Sequence, residues 1–199
     1  HPFRIYPPFF GIVPDYAHDQ TNGPEGCTSF FGKLASLSLA RCRAGLPPLA
    51  LVSLDNCSDN GTRLERAMRY MARAWQQKKF ITEDEYFYLI KKNTYPLSMI
   101  DKITPHPDER IAEKLEADGL ENARPFVTGK GTVAAIYVNS ENVHYLLIED
   151  AFPNGHPPLE QCGVILTRRD IVEKSALMKV STCMNPMDTA LGVFGCMLG

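Results

Sequence analysis

Apolar residues change periodicity several times along the chain. Between Thr28 and Arg43, Phe30, Phe31, Leu34, Leu37 and Ala40 recur at helical spacing, and Gly45 followed by Pro47-Pro48 stops that helix. Leu49–Leu54 is a continuous apolar run closed by Asp55-Asn56, which predicts a strand covered on both faces, as in a parallel sheet. Thr62-x-x-Glu65 has the capping-box pattern, and Leu64, Ala67, Met68, Met71, Ala72 and Trp75 behind it form one core-facing stripe. A second such pattern, Thr82-x-x-Glu85, opens a helix expected to reach about Lys92, with Tyr95–Pro105 extended after it. The first 26 residues, rich in Pro, Gly and aromatics, read as a loop with an edge strand near Phe9–Val13.

In the second half, the charged residues 106–124 predict an exposed helix. Thr132–Val138 and Val143–Ile148 predict a hairpin turning at Asn139–Asn142. Helices are expected from Asp170 onward, one of them capped by Asn185 with Pro186 in its first turn and Ala190, Leu191, Val193, Phe194 and Met197 on one side. Helix, stop, buried strand and polar turn in succession make an α/β signature. Ligands of such sheets sit at the carboxyl ends of strands, which brings Asp55, Asn56 and Asn60 forward. Two readings of these three stand side by side: contacts to a ligand, or residues that merely make the turn.

Composition narrows the classes. With 44% hydrophobic residues and a formal charge of -2, and with no basic block, the 199-residue chain reads as soluble and offers nothing to nucleic acid. Its longest apolar runs are too short to span a bilayer, and His1-Pro2-Phe3-Arg4 is no secretory leader. Six cysteines without a C-x-x-C pair predict no metal site and reduced cytoplasmic thiols, several of them buried. The sequons at Asn56 and Asn60 are therefore incidental. No repeat or low-complexity segment is visible.

Four stretches carry a resemblance. They are Arg43–Gly61 (RAGLPPLALVSLDNCSDNG), Met99–Pro105 (MIDKITP), Ile148–Gly163 (IEDAFPNGHPPLEQCG) and Met178–Leu191 (MKVSTCMNPMDTAL). In this order and spacing they resemble the polyol-specific long-chain dehydrogenase family, which includes mannitol 2-dehydrogenases, fructuronate reductases and tagaturonate reductases. The likeness covers about residues 15–199 and is strongest to the fructuronate-reductase branch. It implies residues 1–105 as the later part of a Rossmann-type NAD-binding domain and 106–199 as the start of a mainly α-helical domain. The Gly-rich phosphate loop of such a domain is not in this sequence; Gly129-Lys130-Gly131 has neither its pattern nor its place between strand and helix.

The resemblance also implies a chemistry: metal-independent interconversion of a secondary alcohol and a ketone on a hexuronate or polyol, with NAD, or alternatively NADP, as cofactor. A base must take the hydroxyl proton and donors must stabilise the developing alkoxide. By position the general acid/base is Lys179, a role a desolvated lysine can fill. Asn185 is the helix-start asparagine, and Asn56 and Asp101 are further active-site positions. Ser53, Asp55 and Asn56 are the implied cofactor contacts. Residue-level alternatives remain: Lys179 as a solvated helix residue, and Asp101 as a partner of Lys102 or Arg110. Three departures mark this chain. Asp188 stands where the family has histidine, and its carboxylate cannot donate a hydrogen bond unless protonated. Lys179 precedes Asn185 by six residues where mannitol 2-dehydrogenases typically show five, a shift of about 100° on an α-helix unless a bulge intervenes. His156 stands where arginine is frequent. The alternative function is a catalytically degenerate homologue that binds a sugar acid or a partner protein.

Overall fold

The structure is a computed structural model that describes residues 15–101, 105–140 and 145–198. It divides into two compact units, residues 1–99 with 147–199, and residues 100–146. This is a different division from the boundary at residue 105 that the resemblance implies. The expected edge strand at Phe9–Val13 lies outside the described residues.

The first unit is built on α1 (Asp15–Asn22), α2 (Phe30–Arg43) and α3 (Asn60–Gln77). The stripe on α3 is buried as expected: Met68, Met71, Ala72 and Trp75 are sealed from solvent, with Phe31, Ala35, Leu39, Leu64, Leu89 and Tyr95 around them. Sequence reading misplaced the face of α2. Phe30 and Leu37 are each 70% exposed, whereas Phe31, Gly32, Ala35, Ser38 and Leu39 face inward. Small residues win this face because neighbouring groups pack directly against it; a Cβ on Gly32 would stand 2.1 Å from Asp19 Oδ2. The helix α1 falls where a loop was expected. Buried Asp19 holds it, accepting from the backbone N–H of Thr28 and Ser29 (both 2.9 Å) and from Ser29 Oγ (2.6 Å). Trp75 Nε1 donates to the Asp19 carbonyl at 2.9 Å.

Of the two capping-box patterns, one is real. Thr82 Oγ1 accepts from Glu85 N at 3.2 Å while Glu85 Oε2 accepts from Thr82 N at 2.8 Å, opening α4 (Glu83–Phe87), which continues as a π-helical turn, Tyr88–Lys92. The other is not used: α3 starts two residues before Thr62, behind Asp59 in the left-handed region. Thr62 Oγ1 instead accepts from Arg169 at 2.6 Å.

Leu49–Leu54 does not form the predicted strand: only Ala50 makes an isolated bridge, and the segment is half-buried to exposed and not covered on both faces. One edge bonds Thr94 in parallel sense, through Leu51 N to Thr94 O (2.9 Å) and Thr94 N to Leu49 O (3.0 Å). Its other side opens on a groove. A sheet of order β1-β4-β5 follows, from β1 (Ser98–Asp101), β4 (Tyr145–Glu149) and β5 (Val164–Thr167). The strand β5 escaped sequence reading. After it come α6 (Arg169–Leu177), a π-helical stretch over Met178–Met184, and α7 (Asn185–Leu198). Asn185 therefore continues a helical run and is not an N-cap.

In the second unit, α5 (Glu109–Ala117) is shorter than the 106–124 expected and is capped by Asp108, which accepts from Arg110 N at 2.8 Å. Tyr137 Oη donates to the Asp108 carbonyl at 2.8 Å. Among the described residues, the expected hairpin of 132–138 with 143–148 does not form. Instead β2 (Phe126–Val127) pairs antiparallel with β3 (Val133–Ala134) around a turn in which Gly131 has φ +76°. Gly129-Lys130-Gly131 is this hairpin turn, between two strands. The α/β class stands, with residues 106–168 a mixture of strand and helix and the chain helical from Arg169 onward.

Candidate active site

The carboxyl end of the Leu49–Leu54 segment is tied down by one buried amide. Asn60, 2% exposed, donates from Nδ2 toward Asp55 O (2.9 Å), Ser98 Oγ (2.9 Å), Ser98 O (3.0 Å) and Ser53 O (3.2 Å). Its Oδ1 accepts from Gly61 N (2.7 Å) and Ser98 N (3.0 Å), and Ser98 Oγ donates to Ser53 O. Gly61 is required by proximity: a Cβ there would meet Tyr95 O and Pro96 O at 2.5 Å. The turn thus leaves Asp55 and Asn56 exposed and Ser53 half-buried. Asp55 N–H donates to Ser53 Oγ at 3.3 Å, and Cys57 Sγ donates to the Asp55 carboxylate at 3.6 Å. Burial first, then the Asp55 charge, raises the Cys57 thiol above its ordinary range, so this thiol stays protonated and is a poor nucleophile.

Two cavities meet at this turn. A groove of about 430 Å³ runs along Ala50–Asp55, walled by Phe30, Phe31, Leu34 and Leu64, with Asn60 and Arg63 at its polar end. A smaller pocket of about 180 Å³ lies between Ser58, Asp59 and Ser98 on one side and Val172, Glu173, Ala176 and Leu177 on the other. The end of α6 therefore shares a cavity with the turn that follows Asn56.

Lys179 sits two residues beyond Leu177, in the π-helical stretch, and is 6% exposed, so the solvated-helix reading of it is set aside. The six residues from Lys179 to Asn185 run through that same stretch. A π-helix closes each hydrogen-bonded ring with one residue more than an α-helix, so six residues turn through roughly the angle that five turn in α. Here is the bulge on which the spacing argument depended. Asp188 is exposed in the first turn of α7. Asp101 ends β1. Arg110, one of the partners considered for it, pairs with Asp108 at 2.8 Å, and Lys102 lies outside the described residues. His156 is near two carboxylates, 3.9 Å from Asp150 and 4.0 Å from Glu160.

Sequence reasoning reached Asn60 as a ligand contact or a turn former; it is a buried tie. It missed Ser98 altogether, because nothing near Ser98 in sequence signals a partner 38 residues away. All six cysteines are free, and none of them is buried, contrary to expectation. Among the described residues no helix is long and apolar enough to cross a membrane.

No family model matches the chain. It is 46% identical over 190 residues to the D-mannonate oxidoreductase of Thermotoga maritima, covering 94% of this chain and 35% of that protein. It is 31% identical over 184 residues to a mannitol 2-dehydrogenase of Phaeosphaeria nodorum, covering 92% of this chain and 29% of the relative. The chain thus spans about a third of the length of these curated relatives. In structure it is similar to D-sorbitol dehydrogenase in substrate-free form, with TM-score 0.60 and 27% identity over 78% of this chain and 28% of that one. It shares its fold with Pseudomonas fluorescens mannitol 2-dehydrogenase, solved as a ternary complex with NAD and D-mannitol, with TM-score 0.64 and 24% identity over 84% of this chain and 30% of that one. Four motifs in order, sequence identity along nearly the whole chain and a common fold agree: this chain belongs to the polyol-specific long-chain dehydrogenase family.

Proposed function

We propose that the chain is part of an NAD-dependent oxidoreductase that interconverts a secondary alcohol and a ketone on a sugar acid, D-mannonate being the substrate that the name of the Thermotoga maritima relative gives. The observation that carries this reading is the burial of Lys179 two residues beyond Leu177, a residue that lines the pocket shared with the turn after Asn56, since lysine is almost never fully buried without a specific reason. The groove along Ala50–Asp55 suits a dinucleotide: its lining is mostly apolar, with Ser53, Asp55, Asn60 and Arg63 as its polar groups. Ser53, Asp55 and Asn56 would hold NAD, whose nicotinamide would supply the hydride acceptor for the carbinol carbon. Lys179 Nζ takes the hydroxyl proton in oxidation and returns one in reduction. Asn56 and Asn185 supply donors to the oxygen; with Asp188 in place of histidine, the donors are amides and not an imidazole. Asp101 is a further site residue on this reading. Residues up to about 105 belong to the nucleotide domain and 106–199 open the helical one. Free thiols suit the reducing cytoplasm, and the partner is a small sugar acid or polyol.

The test is NADH formation with D-mannonate, and with D-mannitol as comparator, by the full-length protein that carries this chain. Lys179→Met is expected to lower kcat by about a hundredfold or more while leaving NADH affinity nearly unchanged. Turnover that survives Lys179→Met would remove the lysine from the mechanism. Absence of turnover on any sugar acid or polyol would favour the degenerate homologue.

A further inference from the structure

Asn60 and Ser98 form the wall between the two cavities: Asn60 lines the groove with Ser53 and Asp55, and Ser98 lines the pocket with Glu173 and Leu177. The carbonyls of Ser53 and Asp55 converge on the same Nδ2, at 3.2 and 2.9 Å, and Ser98 gives that amide three of its contacts. We propose that Asn60, acting with Ser98, is a positioning residue that fixes the Ser53–Asn56 turn in the one conformation able to receive the dinucleotide. This rests on the reading of that turn as the cofactor side of the site.

The chemistry demands an amide. Only an amide of this size donates to carbonyls from one end while accepting N–H groups at the other. A carboxylate at the same place would direct negative oxygens at the carbonyls of Ser53, Asp55 and Ser98. Those oxygens would lose their donor and meet repulsion together. The Gly61 backbone, pressed on Tyr95 O and Pro96 O, leaves the start of α3 no room to move and compensate.

A second buried amide supplies the control. Asn93 holds the opposite end of the same segment, accepting from Leu49 N at 2.9 Å and donating to Ser38 Oγ at 2.6 Å, away from both cavities. In the full chain, Asn60→Asp, Ser98→Ala and Asn93→Asp are compared by NADH titration and by amide hydrogen exchange, below the melting temperature of each. Asn60→Asp is expected to weaken NADH binding about tenfold or more and Ser98→Ala about threefold, with Asn93→Asp within about twofold of wild type. Exchange is expected to quicken at residues 51–58 and 97–99 in Asn60→Asp, while residues 68–75 in α3 stay protected. Unchanged affinity in both Asn60→Asp and Ser98→Ala overturns the proposal. So does an equal loss in Asn93→Asp, which would mark a general structural effect. Should Asn60→Asp not fold, Ser98→Ala decides by the same two measurements. If wild type binds no NADH, the cofactor reading falls. The exchange data then judge the tie alone: faster exchange confined to the two strand ends sustains it, and unchanged exchange overturns it.

Discussion

Asp19 shows how much one side chain can organise. Burial pushes its carboxyl pKa up, but hydrogen bonds from Ser29 Oγ, Thr28 N–H, His18 and Ser29 N–H outweigh that and bring it down to about 2. The folded value lies below the roughly 3.9 of an unfolded aspartate, so its stabilisation is complete above about pH 4. It is lost as pH falls toward 2, to the extent of roughly 2 kcal/mol. Thermal melts between pH 6 and pH 2 are expected to show this loss in wild type, and Asp19→Asn is expected to flatten it while lowering Tm throughout. The same charge, after burial, pushes the Cys27 thiol up to about 11, which keeps it protonated and unreactive. Gly61 is the second sensitive position. Gly61→Ala is expected to cost about 2 kcal/mol or more in urea denaturation, because the new Cβ meets two backbone carbonyls that cannot step aside.

Among the elements, the two capping-box patterns are a natural experiment. Thr82→Ala should cost about 1 kcal/mol, a lost cap, whereas Thr62→Ala should cost about half as much, a lost contact to Arg169; urea midpoints separate the two. The π-helical stretch makes its own prediction. Deleting Ser181 restores the α spacing between Lys179 and Asn185 and is expected to shift stability by less than about 1 kcal/mol, whereas inserting an alanine there should cost several times more. Elements whose stability resides in their own pattern were legible from sequence. The α3 stripe and the Thr82 cap are of this kind, and the polar turn at Asp55-Asn56 that closes the apolar run was likewise located from its own residues. Elements held by distant groups were not. Asp15–Asn22 has no apolar period and is helical because Thr28, Ser29 and Trp75 engage Asp19. The Thr62 pattern reads the same whether or not a helix starts there, and the pairing of Phe126-Val127 with Val133-Ala134 around Gly131 has no alternating pattern to announce it. Ser98 acquires its place only when Asn60 meets it.

For the whole molecule, α7 carries an uncovered apolar surface: Leu191, Phe194, Met197 and Leu198 are all at least 60% exposed. The chain by itself is expected to self-associate, and Phe194→Glu with Leu191→Lys is expected to suppress this in concentration-dependent light scattering. The first unit is also discontinuous, since residues 147–199 return to residues before 100. Glu149 N donates to Leu97 O at 2.8 Å, and Thr94 Oγ1 donates to the Ala151 carbonyl. That return has a consequence for synthesis on the ribosome. The helices around Trp75 can assemble once the chain has been made through about residue 100, but the strand end at Leu97 must wait until all of residues 100–146 has been made. Closing so long an excursion is slow relative to local helix packing. A nascent chain paused within that interval carries an open strand edge, and it is during this interval that a chaperone would have most to shield.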